Sequence, residues 1–223
     1  MKFLLKAAPL LLFLSSAQAG TVVATNINDP ANDVVVANMS ATALSGTIVA
    51  VGWYNAGFDV DAAAAANNFS ALSSASNFNV LTSTLTGETS DTFGSDIAGY
   101  YITSNQDYGS PTAQMLASPQ LYILFGNAAT LAGANTQYAL VRFNESINAD
   151  TPIADSNTLQ LSGGSYSILA GTTGTAIVDL SSIEGSSTES NTSLQLVAVP
   201  EPAAALLGAV GVMGLFRRRR AMA

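Results

Sequence analysis

The chain has 223 residues with 15 Asp+Glu against 7 Lys+Arg, a formal net charge of −8, and neither cysteine nor histidine. Without an imidazole or a thiolate, His-assisted nucleophiles, thiolate chemistry and ordinary zinc or copper sites have no residues to be built from, and no disulfide framework supports the fold. Six of the seven bases are Lys2, Lys6 and Arg217 to Arg220, and only Glu201 of the fifteen acids lies near them, so residues 20–199 carry fourteen acids against Arg142 alone, a formal charge of −13. Such a surface repels nucleic-acid phosphates and anionic lipid, whose binding needs clustered Lys and Arg. The side chains left for catalysis are carboxylates, hydroxyls and one guanidinium, and no cofactor is implied.

The first nineteen residues, MKFLLKAAPLLLFLSSAQA, place Lys2 and Lys6 before an apolar run from Ala7 to Leu14 and end in Ala17-Gln18-Ala19. That three-part pattern predicts a secretory signal peptide, a helical leader that signal peptidase removes between Ala19 and Gly20. The apolar run is too short for a spanning helix, which needs about 20 residues. Residues 20–199 then form one β-rich extracellular domain, long enough for a sizeable core.

In chain order, TVVATNI at the expected mature start and GTIVAVGWYNAGF at 46–58 are rich in β-branched and aromatic residues and bounded by Gly and Asn, as strands are. DAAAAANNFSALSSA at 61–75 breaks that pattern. It sets Ala65, Phe69 and Leu72 at helical spacing with Asp61 at the N-cap position, which predicts a single short helix. Residues 81–120, rich in Ser, Thr, Gly and Asn, predict long loops with one strand at Tyr100 to Thr103. Further strands are expected at 121–127, 137–144, 158–163, 165–171, 175–180 and 193–199, with Gly163-Gly164 turning a hairpin. SSIEGSSTESNT at 181–192 is too polar to hold itself in order and reads as a loop tied back by the last strand. The fold class is mainly β: an antiparallel sandwich of jelly-roll type with one short helix, a signal helix before it and a transmembrane helix after it.

Several constellations have the right chemistry in weak patterns. Asp29, Asn32 and Asp33 offer hard oxygen ligands for Ca²⁺, although their spacing fits a turn better than a calcium loop. A metal site is therefore not assigned. Asp59 and Asp61 alternate, and helix capping is their simpler use. Fourteen acids supply the paired carboxylates of a glycosidase in principle, yet no motif singles out two. Trp53 with Tyr54, and Tyr100-Tyr101 with Tyr108, would stack on sugar rings if exposed, whereas aromatics amid apolar neighbours are more often core. Arg142 between Val141 and Phe143 predicts a structural ion pair.

The chain closes on VPEPAAALLGAVGVMGLFRRRRAMA. Residues 203–216 are uncharged and, at 1.5 Å per residue, make about 21 Å of helix, short of the roughly 30 Å hydrocarbon core. Arg217, Arg218, Arg219 and Arg220 would hold the end of this marginal span on the cytoplasmic side. Pro200, Glu201 and Pro202 followed by an apolar run and an arginine cluster resemble the PEP-CTERM sorting signal of Gram-negative bacteria, here as residues 200–223. The resemblance implies export, transient anchoring in the inner membrane, and recognition at Pro200, Glu201 and Pro202 by a membrane-embedded exosortase. It further implies a destination at the cell surface or in the extracellular matrix, among exopolysaccharide and biofilm material. More faintly, residues 46–81 and 121–127 resemble the ectodomains of uncharacterised proteins with the same tail, which bears on architecture only. The reading is an exported surface or matrix protein with no catalysis of its own; the alternative is a carbohydrate-binding module or carboxylate-based glycoside hydrolase delivered by the same tail.

Overall fold

Twelve strands and two short helices make up the parts of the chain that the computed structural model describes, residues 20–26, 33–87, 97–103, 106–109, 120–146, 156–161, 166–179 and 188–200. They run β1 Gly20–Thr25, β2 Val34–Ala37, β3 Ile48–Tyr54, α1 Val60–Ala65, α2 Phe69–Leu72, β4 Phe78–Leu85, β5 Gln106–Gly109, β6 Gln120–Gly126, β7 Gln137–Ser146, β8 Ser156–Gln160, β9 Tyr166–Ala170, β10 Thr172–Asp179, β11 Thr188–Gln195 and β12 Val197–Ala198.

The strands form a six-stranded sheet, β12-β7-β6-β3-β4 with β9 also on β7, and two three-stranded sheets, β5-β1-β8 and β10-β11-β2. One face of the large sheet, carrying Val49, Val51, Ile123, Phe125, Val141 and Phe143, meets residues of both small sheets in one apolar core, to which β1 gives Val22 and Ala24, β2 Val36, β8 Leu159 and β11 Leu194. Its other face, with Tyr54, Tyr122, Leu124, Tyr138 and Leu140, lies under Val60, Ala64, Phe69 and Leu72 of the helices. Strands β3, β6 and β7 are thus covered on both sides, which is why IVAVGWY, LYILF and YALV are continuous apolar runs without alternation. β10 is covered on one side only, and its Thr-rich sequence alternates between exposed and buried positions.

The β-rich reading and most of the strands expected from sequence are present, and antiparallel pairing dominates. Five details differ. β1 pairs in parallel with β8, and β2 with β11, because the first strands lie beside strands contributed from late in the chain. The expected hairpin at 158–171 is not formed: β8 joins β1, while β9 joins β7; Gly163 and Gly164 themselves are outside the described residues. The single helix at 61–75 is two, since Asn67 takes a left-handed conformation (φ 50°) and the Asn68 side chain caps α2 by accepting from Ala71 N. The N-cap of α1 is Asp59, whose Oδ1 accepts from Ala62 N at 2.9 Å, and not Asp61. In the segments read as loops, Leu81 to Leu85 belong to β4, Gln106–Gly109 is β5, Thr188 to Thr192 belong to β11, and Tyr100 to Thr103 contribute only an isolated bridge between Ile102 and Thr25. The polar first half of β11 is compatible with a sheet because Thr188, Ser190 and Thr192 are exposed while Glu189 and Asn191 between them turn inward, Asn191 to a buried position.

One backbone approach decides a residue. β3 and β4 shift register between Val51 and Gly52, and a Cβ on Gly52 would collide with the Asn79 carbonyl oxygen. The bulge therefore requires glycine in the middle of an otherwise β-branched strand.

Candidate functional site

The C-terminal tail leaves from the edge of the six-stranded sheet. Leu196 is buried in the shared core, and its N–H donates to Ala37 O at 2.9 Å. Val197 and Ala198 pair with Tyr138 and Gln137 at the start of β7, Val197 and Val199 pack on the helix-side core, and the Val199 N–H donates to Thr136 O at 2.8 Å. Pro200 follows, exposed and without an N–H to donate. The body therefore holds the backbone up to the residue before the Pro-Glu-Pro triplet. Glu201, Pro202 and Arg217 to Arg220 lie outside the described residues, as do the leader and Ala19; Gly20 opens β1, opposite Gly109.

The next loop along this edge, from Asn127 to Thr136, is held closed by its own polar residues. Asn127 and Thr136 join through their side chains, and Gln137 N donates to Asn127 Oδ1 at 3.2 Å. Ala134 is buried against Gly126, where a Cβ would overlap it.

The remaining sequence candidates fall apart from one another. Arg142 reaches Asp61 with Nη1 3.0 Å from Oδ2, an ion pair between β7 and the first turn of α1. Tyr54 is buried among Phe58, Phe78 and Tyr122 and donates from its hydroxyl to Leu72 O at 3.0 Å. Tyr100 and Tyr101 are also buried, and Trp53 packs partly buried on the core. These four offer no aromatic platform to a sugar, because their faces are spent on packing; the side chain of Tyr108 is outside the described residues. Burial pushes the Tyr100 phenol up to about 12, helped by the nearby Asp33 carboxylate and opposed by the hydrogen bond from Asn191. Asp33 is itself buried, whereas Asn32 and Asp29 lie outside the described residues. Among the described residues no group of three or more acids is placed to hold a metal ion.

Two polar features carry no sequence signal. Asn26, fully buried after β1, donates from Nδ2 to Val34 O (3.0 Å) and Gly99 O (2.8 Å) and accepts at Oδ1 from Tyr101 N (2.7 Å). Asn191 donates to the Tyr100 hydroxyl at 3.0 Å. Both tie segments more than 70 residues apart, so nothing local in the sequence marks them.

The arrangement is that of a β-rich body ending in a C-terminal targeting tail. The particular tail is identified by comparison: residues 198–220 match the family model described as the PEP-CTERM protein-sorting motif, so the chain carries that motif. The match starts at Ala198, inside β12, and spans the Pro-Glu-Pro triplet, the apolar run and the arginines. The motif implies an exported, exosortase-processed protein, anchored in a membrane before it reaches the surface. No curated protein and no solved structure matches the chain.

Proposed function

We propose that the chain is a non-catalytic exported protein that exosortase processes at Pro200, Glu201 and Pro202 and that is then displayed on, or released from, a Gram-negative cell among exopolysaccharide and biofilm material. The observation that carries this reading is the sorting motif at residues 198–220, set on a body whose hydrogen-bonded backbone runs to Val199 and leaves Pro200 exposed. In the same reading the layered body is a β-sandwich, residues 1–19 are a leader removed by signal peptidase, and residues 203–216 are a membrane helix arrested by Arg217 to Arg220. The lack of any motif singling out a carboxylate pair and the burial of Tyr54, Tyr100 and Tyr101 favour display over sugar cleavage or sugar stacking.

Intact-mass measurement of protein recovered from native cells and medium tests the reading at both termini. The expected species begins at Gly20 and lacks the RRRRAMA end. Recovery of extracellular protein with Arg217 to Arg220 still attached overturns it, and release of reducing sugar by the purified protein overturns the non-catalytic assignment.

A further inference from the structure

The body ends on a short strap. Leu196 is buried in the shared core at 1% exposure, and its N–H is held by Ala37 O. Beyond that hinge, Val197 and Val199 are half-buried while Ala198 and Pro200 are exposed. Among the described strands β12 has β7 as its one neighbour. Val197 pairs with Tyr138, Ala198 with Gln137, and the Val199 N–H reaches Thr136 O at 2.8 Å. Pro200 has no N–H, so the ladder stops there. A strand of two residues, paired on one side and partly exposed, is the kind of element that opens at low cost while the body stays folded.

The same backbone is what a protease has to bind. A peptide enters an active site as an extended chain held by main-chain hydrogen bonds, and a folded body cannot follow it into the cleft. With the strap docked, Pro200, Glu201 and Pro202 are the whole connection between Val199 and the apolar run that begins at Ala203, about 10 Å at full stretch. Two of those three residues are proline, which leaves Glu201 as the one main-chain donor between body and apolar run. Release of Val197, Ala198 and Val199 doubles the reach to about 20 Å and adds three residues that carry both N–H and C=O. The family match begins at Ala198, so the sorting motif itself extends into the strap.

Resting on the sorting reading above, we infer that residues 197–199 form a gate: the edge of β7 and the exosortase compete for this one stretch of backbone. Processing proceeds from the state in which the strap has left β7 and the body remains folded about Leu196. Where opening and closing are fast relative to cleavage, the rate of cleavage follows the open population. The contacts of Val197 and Val199 with the helix-side core and the bond to Thr136 O therefore set how fast the tail is removed.

The absence of cysteine from the chain makes the test direct. Ala198 and Gln137 face each other. Because Val199 and Thr136 share a ladder bond, Ala198 and Gln137 are the non-hydrogen-bonded pair, whose Cα atoms stand about 4.5 Å apart, within disulfide reach. Full-length precursor with Gln137→Cys and Ala198→Cys is oxidised, freed of oxidant and incubated with membranes of the native cells, with and without reductant. The parent precursor is treated in the same way, and a third chain carries Val197→Ser and Val199→Ser. The parent is expected to be processed under both conditions, and the crosslinked chain at least about tenfold more slowly until reduction lifts the block. The serine chain is expected to be processed several-fold faster than the parent while keeping the parent's near-ultraviolet circular dichroism. Processing of the crosslinked chain at the parent rate, a block that reduction does not lift, or failure of the two thiols to join overturns the gate and leaves the sorting reading standing. So does a serine chain that is not processed faster, or one that has lost the parent's spectrum. An unprocessed parent overturns the sorting reading, and the gate with it.

Discussion

Arg142 on β7 grips Asp61 on α1 through one nitrogen, Nη1, which lies 3.0 Å from Oδ2 and 3.1 Å from Oδ1. It is the only ion pair among the described residues, and it fastens a two-turn helix to the sheet beneath it. The Arg142 side chain is 25% exposed and Asp61 65%, so solvent screens the attraction. A double-mutant cycle with Arg142→Gln and Asp61→Asn is expected to give a coupling of about 0.2–1 kcal/mol that shrinks as salt is added, read from urea midpoints at unchanged slope.

Asn26 carries far more. Its side chain satisfies two carbonyls and one N–H at zero exposure, and truncation takes the acceptor from the buried Tyr101 N–H and a donor from Val34 O and from Gly99 O, the last of which keeps the Val36 N–H. Asn26→Ala is expected to cost on the order of 3 kcal/mol, measured by chemical denaturation, and Asn26→Asp more, since a carboxylate would face the carbonyls of Val34 and Gly99.

Two buried tyrosines make a matched contrast. The Tyr54 hydroxyl donates to Leu72 O, whereas the Tyr101 hydroxyl is buried with no hydrogen-bond partner among the described residues. Tyr54→Phe should lower stability by about 1 kcal/mol, while Tyr101→Phe should leave it unchanged or raise it. Thermal melts of the two variants beside the parent check the sign.

The N-cap of α1 is testable on its own. Asp59→Ala removes the acceptor for Ala62 N and is expected to cost about 0.5–2 kcal/mol, whereas Asp59→Asn should retain most of the stability. Denaturation midpoints of the pair distinguish the cap from a general charge effect.

Alkaline pH attacks the core through its phenols. Burial holds Tyr54, Tyr100 and Tyr101 above the ordinary value of 10.0, with Tyr100 pushed up to about 12. Because these folded-state values are raised, their stabilising contribution is complete below pH 10 and disappears as pH climbs towards 12 and beyond. Tyrosinate absorbance and circular dichroism followed together should change in one cooperative step across that window, with stability unaffected by these groups near neutrality.

Much of the fold was legible because its strands are strongly biased: the expected segment 121–127 matches β6 to within one residue, and 46–58 contains β3 with two residues to spare at its start and four at its end. The sequence pattern favours Asp61 as the cap because both acids are plausible there; Asp59 is the one whose extended backbone (φ −82°, ψ 91°) precedes α1, which leaves Asp61 in the first turn facing Arg142. β2 is hidden behind an Asn-Asp-Pro turn signal, and the polar half of β11 reads as a loop, since a strand held by neighbours on both sides does not need an apolar sequence. Of the candidate site, the tail motif was visible as a string of residues, but its docking through Val197 to Val199 was not.

The sequence by itself determined the β-rich character, the lack of thiol and imidazole chemistry, the acidic body and the sorting tail, because each is a property of composition or of residues adjacent in the chain. Tertiary structure alone decided which strands pair in parallel, that Tyr100 and Tyr101 are buried, that Asn26 bridges three segments, and that the tail departs from the start of β7. Those depend on contacts between residues tens of positions apart, and no local pattern records which distant segment will supply the partner.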